Sequence, residues 1–271
     1  MAPKIWLGVE NMKILVIHGS MRKGTTYALT QEITSRLAAM PEVEITQLHV
    51  ADLDLPFCRS CHLCFSKGEE FCPHYGVMEE VAAKLTQCDG VIVSGVSYMW
   101  ALNASMKNFL DHLSFLFHRP SLFGKKGMVI ATAAGAGEKS VAKYLKTVLG
   151  QWGINKALVV TQTARDLEMI STAKRAAKYD KLAAKFYSLI KSQRPLSPSL
   201  QNLAVHNAFR AMSLSGFTGS ERDTLYWQQD GFKNKAYPIK AGWFRSLAGA
   251  VIYSAVKASS AAAGRMAAKN K

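Results

Sequence analysis

The chain has 271 residues, of which 49% are apolar and 20% charged, so it can bury a sizeable core and is not intrinsically disordered. Lysine and arginine outnumber aspartate and glutamate by 34 to 19, which indicates an anionic partner without identifying it. The excess is uneven, because residues 166–271 contain 17 basic and only 6 acidic side chains.

Strand-like and helical segments alternate through the first two thirds of the chain. Residues 1–11 precede them as an N-terminal extension without the apolar core of a secretory signal. Apolar runs predict strands at 13–18, 43–49, 90–94, 127–132 and 157–163, and amphipathic segments predict helices at 25–40, 76–87, 104–117, 138–152 and 166–192. This alternation predicts an α/β domain with a five-stranded parallel sheet covered on both faces. Ligands of such sheets bind outside the carboxyl ends of the strands.

The first predicted strand is followed by a loop, residues 18–26, that could hold a phosphate group. Its glycines allow tight turns, and the N-terminus of the next helix adds a partial positive charge. Hydroxyl and basic side chains are the candidate phosphate ligands: Ser20, Arg22, Lys23, Thr25 and Thr26. The loop has neither Walker A spacing nor a Gly-x-Gly-x-x-Gly motif, so an ordinary strand-to-helix turn is the alternative.

The third and fourth predicted strands are followed by loops at the same edge of the sheet. Residues 94–103 could form an apolar wall beside a flat ring, with these candidates: Ser97, Tyr98, Met99, Trp100 and Asn103. Residues 132–137 are small enough for the backbone to approach a ligand, with these candidates: Thr132, Ala133, Gly135 and Gly137. The alternative is that both loops only pack against their neighbours.

Four cysteines lie between the second strand and the second helix. Cys58, Cys61, Cys64 and Cys72 have the spacing C-x2-C-x2-C-x7-C, and a close triplet with a more distant fourth cysteine is typical of a [4Fe-4S] cluster. Zinc, with His62 and His74 contributing, and metal-free thiols are the alternatives. Cys88, just before the third strand, is predicted to be a buried core thiol.

The last part of the chain is predicted to be a separate, basic extension. Pro195 and Pro198 indicate a boundary between a domain of residues 12–194 and a mainly helical extension of residues 195–271. A predicted helix at 241–259 mixes aromatic and basic side chains. Such a helix could contact an anionic membrane, dock on a partner, or pack over the first domain or at a dimer interface.

No stretch of the chain is predicted to cross a membrane. The longest apolar segment, residues 247–256, is shorter than the ~20 residues needed to span a bilayer. We therefore expect a cytoplasmic protein, in which clustered cysteines indicate metal or redox chemistry rather than disulfides. A homo-oligomer is expected, and nucleic acid is not expected as a partner, because the basic residues of the extension are scattered.

Two motifs of the chain are Gly-Ser-x-Arg-Lys after the first strand and Tyr-Met ahead of Lys107, Phe109 and Asp111. They resemble motifs of the flavodoxin-like NAD(P)H-dependent FMN reductases, and within that family those of the iron-sulfur flavoproteins. The resemblance covers residues 12–165 and implies a doubly wound sheet with the strand order 2-1-3-4-5. Two departures are Met21, where the family has proline, and Val96-Ser97, where it has Pro-Val before the tyrosine.

The resemblance implies FMN as cofactor and NAD(P)H as co-substrate. Its first loop would hold the FMN phosphate, which assigns that role to Ser20, Arg22, Thr25 and Thr26. The loop with residues 98–100 would lie against the isoalloxazine, and residues 132–137 would border the same ring. A [4Fe-4S] cluster would then let the protein convert hydride transfer into one-electron steps toward a small-molecule or protein acceptor.

No catalytic side chain is predicted, because hydride transfer to a flavin depends on stacking and distance more than on an acid or base. His18, His112 and His118 are candidate protonation partners, with packed or surface histidines as the alternative. Asp111 and Arg119 are expected to form a structural pair. The rival functions are an electron carrier that does not oxidise a nicotinamide nucleotide, and a docking protein that uses its basic tail.

Overall fold

The computed structural model describes residues 11–269, with side chains described as far as residue 263. The predicted N-terminal extension, residues 1–11, lies outside the described residues apart from Asn11. The strands are β1 (Met12–His18), β2 (Val43–His49), β3 (Gly90–Tyr98), β4 (Ala101–Leu102), β5 (Lys126–Ala133) and β6 (Ala157–Thr163). The helices are α1 (Thr25–Ala38), α2 (Leu63–Ser66), α3 (Tyr75–Gln87), α4 (Ala104–His112), α5 (Phe115–His118), α6 (Glu138–Gln151), α7 (Ala164–Met169), α8 (Thr172–Lys191), α9 (Leu200–Leu214), α10 (Glu221–Gln228) and α11 (Trp243–Lys269).

Five of the strands form a parallel sheet in the order β2-β1-β3-β5-β6. The flavodoxin-like order 2-1-3-4-5 that the sequence indicated is therefore confirmed. The sheet gains a sixth, short strand because β3 continues past Ser94 and turns back, so that β4 pairs with it antiparallel. All eight residues of β5 are buried, as expected for a central strand with helices on both faces.

Two apolar clusters cover the two faces of the sheet. On one face α3, α4 and α6 contribute Val81, Phe109 and Leu145, all essentially inaccessible to solvent. On the other face α1 and α8 contribute Ile33 and Phe186, which are also fully buried. Since the central strands β1, β3 and β5 are largely buried on both faces, polar groups converge in the loops at the ends of the sheet.

Two predicted helices are each divided into two. The helix expected at 104–117 ends at His112, and α5 starts anew at Phe115. The helix expected at 166–192 is replaced by α7 and α8, each with its own N-cap, Thr163 and Ser171. A hydroxyl that accepts the backbone N–H three residues later satisfies a helix start, so these residues favour a new helix over a continuous one.

The C-terminal extension is mainly helical, as expected, and packs on the first domain. Trp227 of α10 is fully buried, and the hydroxyl of Tyr237 donates to Asn155 Oδ1 at 2.5 Å. Helix α11 packs along α9, where Gly249 lies so close to Asn207 that a Cβ atom would be 2.9 Å from its side-chain nitrogen. Among residues 11–269, no helix combines the length and apolar character needed to cross a bilayer.

Candidate functional site

A cleft of about 730 Å³ opens at the carboxyl edge of the sheet. All three predicted loops reach it, and nine predicted site residues line it: Ser20, Arg22, Thr25, Thr26, Ser97, Tyr98, Asn103, Thr132 and Ala133. Five others, Lys23, Met99, Trp100, Gly135 and Gly137, are not among its lining residues. The cleft therefore brings together most of the candidates, from segments more than a hundred residues apart.

The first loop is held against β3 by its backbone. Gly19 N donates to Ser94 O at 2.9 Å, and Gly19 O accepts from Asn103 Nδ2 at 2.6 Å. A Cβ atom at Gly19 would lie 2.6 Å from Ser94 O, so only glycine permits this approach. The hydroxyls of Thr26 and Thr132 are 2.6 Å apart and join the first loop to the third.

Helix α1 starts at the floor of the cleft. No described side chain caps its N-terminus at Gly24. Its first backbone N–H groups are therefore available to an anion, and the helix dipole favours negative charge at this position. Arg22 adds a positive charge to the lining. This arrangement is suited to a phosphate group.

The second loop forms a tight two-residue hairpin between β3 and β4. Met99 and Trp100 occupy its turn in left-handed conformations, with φ of 50° and 64°, and are 96% and 69% exposed. The predicted apolar wall is therefore formed by Tyr98 alone, while its two neighbours project into solvent. Gly137, with φ of 98°, closes on this hairpin so tightly that a Cβ atom would be 2.3 Å from Ser97 Oγ.

One wall of the cleft was not anticipated from the sequence. It comes from the segment that follows β2, through Val50, Asp54, Leu55 and Phe57, and from Asn108 of α4. The signal that could have found it is position, because residues after β2 leave the same edge of the sheet as the three predicted loops.

The four predicted cysteines line a second, neighbouring cavity of about 360 Å³, together with His62, His74, Lys107, Asp111 and His112. Burial raises the pKa of the Cys64 thiol, and the nearby thiols of Cys72 and Cys58 raise it further. Cys88, in contrast, is buried in the core as predicted, with a pKa raised to about 11 by burial.

The positions of the cysteine sulfur atoms can be compared with those in two kinds of metal centre. Within the described residues, no three cysteine sulfurs lie within 4.8 Å of one another. A single zinc ion with Zn–S bonds of about 2.3 Å would hold its sulfurs about 3.8 Å apart. A cuboidal cluster binds each thiolate to a different iron and so holds the sulfurs farther apart. In this conformation the described cysteines therefore do not form a closed four-cysteine zinc site.

Asn108 connects the cleft to the cysteine loop. Its Nδ2 donates to Pro56 O at 3.0 Å and Leu55 O at 3.2 Å, and its Oδ1 accepts from Cys58 N at 2.9 Å. Helix α4 thus serves both cavities, with Ser105 and Asn108 lining the cleft and Lys107 and Asp111 lining the cysteine cavity.

Arg119 braces the other side of the cysteine loop. It donates to Cys64 O at 2.7 Å and to Glu69 Oε2 at 2.9 Å, and it pairs with Asp223 of α10. His118 also bonds to Asp223, at 2.8 Å. The predicted pair of Asp111 with Arg119 is wrong, because Asp111 instead pairs with Lys107 one helical turn away.

His18 is the remaining candidate for a protonation partner, and its surroundings are those of a packed histidine. Its ring stacks on His49 with centroids 4.4 Å apart, and it bonds to Gln47 Oε1 at 2.9 Å. Burial lowers its pKa to about 4, so the ring is neutral near pH 7. It does not belong to the lining of either cavity.

This chain is similar to several known proteins. Two curated iron-sulfur flavoproteins resemble it. The one from Archaeoglobus fulgidus is 27% identical over 228 residues, which are 82% of this chain and all of that protein. The one from Methanocaldococcus jannaschii is 29% identical over 124 residues, which are 45% of this chain and 63% of that protein.

A solved oxidoreductase from Corynebacterium diphtheriae shares the fold. It is 18% identical, with a TM-score of 0.50 over 68% of this chain and 98% of that one. The model of the family described as NADPH-dependent FMN reductase matches residues 12–165, the segment that carries β1 to β6 and both cavities. The chain therefore belongs to the NADPH-dependent FMN reductase family and is an NAD(P)H-dependent oxidoreductase.

Proposed function

We propose that the cleft binds FMN, with its phosphate on the loop of residues 18–26 and at the N-terminus of α1. Ser20, Arg22, Thr25 and Thr26 would hold the phosphate, which their charge and hydroxyl groups suit. Tyr98, Asn103 and Thr132 would contact the ring system, with Ser97 and Ala133 beside them. The other predicted residues would act on the bound FMN from outside the lining of the cleft: Lys23, Met99, Trp100, Gly135 and Gly137. A bound flavin accepts two electrons as hydride and can release them singly.

We further propose that Cys58, Cys61, Cys64 and Cys72 bind a [4Fe-4S] cluster. Support comes from their shared cavity and from the iron-sulfur flavoproteins that the chain resembles. The residues around them have supporting roles, because Asn108 holds the loop at Cys58 and Arg119 holds it at Cys64. Lys107 contributes a positive charge next to thiolates that would otherwise repel one another.

The function that follows is transfer of electrons from NADH or NADPH to a small-molecule or protein acceptor, delivered one at a time. One observation carries this proposal, namely that the cleft and the cysteine cavity share α4 as a wall and Asn108 as a connection. We place the protein in the cytoplasm, where thiols stay reduced. Division into residues 12–194 and 195–271, and homo-oligomerisation, stay predictions.

Anaerobic reduction tests the enzyme against the electron carrier. Purified, FMN-loaded protein is mixed with NADH or NADPH and the flavin absorbance is followed in a stopped-flow instrument. Rapid bleaching by at least one of the two nucleotides supports the proposal. A flavin that dithionite reduces at once but both nucleotides reduce only over hours would support the carrier instead.

We also propose that α11 contacts a membrane surface rich in acidic lipids. Its N-terminal half exposes Trp243, Phe244, Leu247 and Val251, with the first 80% exposed, although the opposite face packs on α9. Eight basic residues and no acidic one follow Asp230, so the charge of this region complements an anionic surface.

Liposome co-sedimentation tests this contact. Vesicles with acidic lipid should pellet the protein, neutral vesicles should not, and Trp243→Ala with Phe244→Ala should reduce pelleting. Equal recovery in the supernatant with both vesicle types would contradict membrane binding.

A further inference from the structure

We propose that Cys72, His74 and His112 form a site for one divalent transition-metal ion of the zinc type, separate in chemistry from the iron-sulfur cluster. One ligand atom from each residue lies within 4.8 Å of the other two, and the described residues contain no other such group of three. A thiolate with two imidazoles is a donor set that zinc and cobalt bind well.

The distances allow a tetrahedral ion with little movement. Bonds of about 2.0–2.3 Å would bring the three ligand atoms to within about 3.3–3.8 Å of one another. Cys72 and His74 are two residues apart on the segment that precedes α3, and they are partly exposed. A modest adjustment of these two side chains toward His112 is enough to close the site.

His112 is already arranged as a metal ligand. Its ring is buried and its Nε2 lies 2.9 Å from Pro56 O, which cannot donate, so Nε2 must carry the proton. In the neutral ring Nδ1 is therefore the unprotonated nitrogen, and it is buried without a hydrogen-bond partner. Histidines that bind metals typically donate their other N–H to a carbonyl in this way, which fixes the tautomer and the ring orientation.

The orphaned Nδ1 needs an explanation, because a buried polar atom without a hydrogen-bond partner is destabilising. The ring of His74 is its neighbour, with centroids 5.3 Å apart. A cation bound by Cys72 and both histidines would satisfy Nδ1 and link the cysteine loop to the end of α4. Three protein ligands leave a fourth position for water or another donor.

Cys72 cannot serve a zinc-type ion and a [4Fe-4S] cluster together, so the two occupants exclude each other in one molecule. The site does not rest on the proposed cluster, because it uses only one of the four cysteines. It predicts that protein without a cluster still binds metal, and that the choice between the two occupants depends on which metal is supplied.

Cobalt titration tests the site on the full chain. Iron-free, FMN-loaded protein with reduced thiols is titrated anaerobically with Co²⁺, whose ligand-field bands in the red lie outside the flavin absorption. We expect one Co²⁺ per chain with a thiolate signature. His74→Ala and His112→Ala should each weaken binding at least tenfold. Cys61→Ser and His62→Ala, in the same cavity, should bind as the unchanged protein does.

His74→Ala is the decisive variant, since His74 is partly exposed and its loss should not disturb folding, whereas His112 also bonds to Pro56. Absence of tight Co²⁺ binding would overturn the site, as would a Cys61→Ser variant weakened as much as His74→Ala. Iron and sulfide analysis of anaerobically prepared protein tests the cluster independently, so failure of one proposal is distinguishable from failure of the other.

Discussion

Gly19 shows how a single residue shapes the cleft. Its backbone contacts β3 and the side chain of Asn103, and the space where a Cβ atom would lie is already filled by Ser94 O and Met106. The loop of residues 18–26 can therefore keep this close contact with β3 only if position 19 has no side chain. Gly135, in the third loop, has nothing within 4 Å of its Cβ position.

We expect Gly19→Ala to destabilise the protein by about 1–3 kcal/mol, because the added methyl group forces the loop away from β3. FMN affinity should fall with it. The matched control Gly135→Ala should leave the free energy of unfolding unchanged. Urea unfolding and a flavin fluorescence titration measure the two quantities, and equal effects of both substitutions would contradict the account of the loop.

His206 is a buried titratable residue that lines neither the cleft nor the cysteine cavity. It lies among Trp227, Phe232 and Tyr237, and neither ring nitrogen has a hydrogen-bond partner. Burial lowers its pKa to about 3 from an ordinary value of 6.5. Between these values the unfolded chain binds a proton that the folded chain does not, so acidification favours unfolding.

Burial of His206 should therefore not lower the free energy of unfolding above pH 6.5. Below pH 6.5 this free energy should decrease as the pH falls toward 3. His206→Leu should make this decrease shallower, although His18, whose pKa is also lowered, should leave part of it. Urea unfolding at about pH 7 and about pH 5 gives the slope. His62→Leu, at an exposed position, is the control, and an unchanged slope in His206→Leu would refute the assignment.

At the scale of elements, the β3–β4 hairpin combines a strained turn with exposed apolar side chains. Two-residue hairpins favour Asn-Gly, because both central residues need positive φ. Met99 and Trp100 occupy these positions instead, directly after Tyr98, which lines the cleft. Strain that persists at a binding site often serves the ligand rather than stability.

Replacing Met99 and Trp100 by Asn and Gly should stabilise the chain by about 1 kcal/mol, because the turn is then filled by residues that tolerate positive φ. The same change should slow flavin reduction by NAD(P)H, since the apolar turn beside the cleft is lost. Thermal unfolding and stopped-flow reduction check both effects. Faster or unchanged reduction would show that the two side chains have no role at the cleft.

Helix α10 acts as a clamp on the cysteine loop. Asp223 is inaccessible to solvent and accepts from both His118 and Arg119, and Arg119 in turn holds Cys64 O. Burial alone would raise the pKa of Asp223, but these two partners outweigh it and lower the pKa below 3.8. The stabilisation that ionised Asp223 contributes to the fold is therefore present above pH 3.8. It is lost as the pH falls through the lower pKa that Asp223 has in the folded state.

Asp223→Asn should destabilise the protein by about 3 kcal/mol at neutral pH, because it removes one partner of a buried ion pair. It should also make the thiols of the cysteine loop react faster with a thiol reagent. Asp180→Asn, which breaks a largely exposed pair with Arg36, should cost less than about 1 kcal/mol and leave the thiols unaffected. Unchanged thiol reactivity in Asp223→Asn would contradict the clamp.

At the scale of the whole molecule, periodicity predicted the sheet because apolar strands alternate with amphipathic helices. The three loops of the cleft were predicted from the rule that ligands bind at the carboxyl ends of parallel strands. The extra strand β4 was missed, since only two residues pair and Met99-Trp100 is not a typical turn. Phe57 and Asn108 in the cleft, and the bond from Arg119 to Asp223, depend on long-range packing that no local pattern indicates.

We propose that FMN and a [4Fe-4S] cluster are bound in the two neighbouring cavities that share α4. Protein purified without oxygen should contain one FMN, about four irons and about four acid-labile sulfides per chain. Cys61→Ser should lose the iron and sulfide but keep the FMN. Protein that contains FMN but neither iron nor sulfide under these conditions, even after anaerobic reconstitution, would contradict the claim.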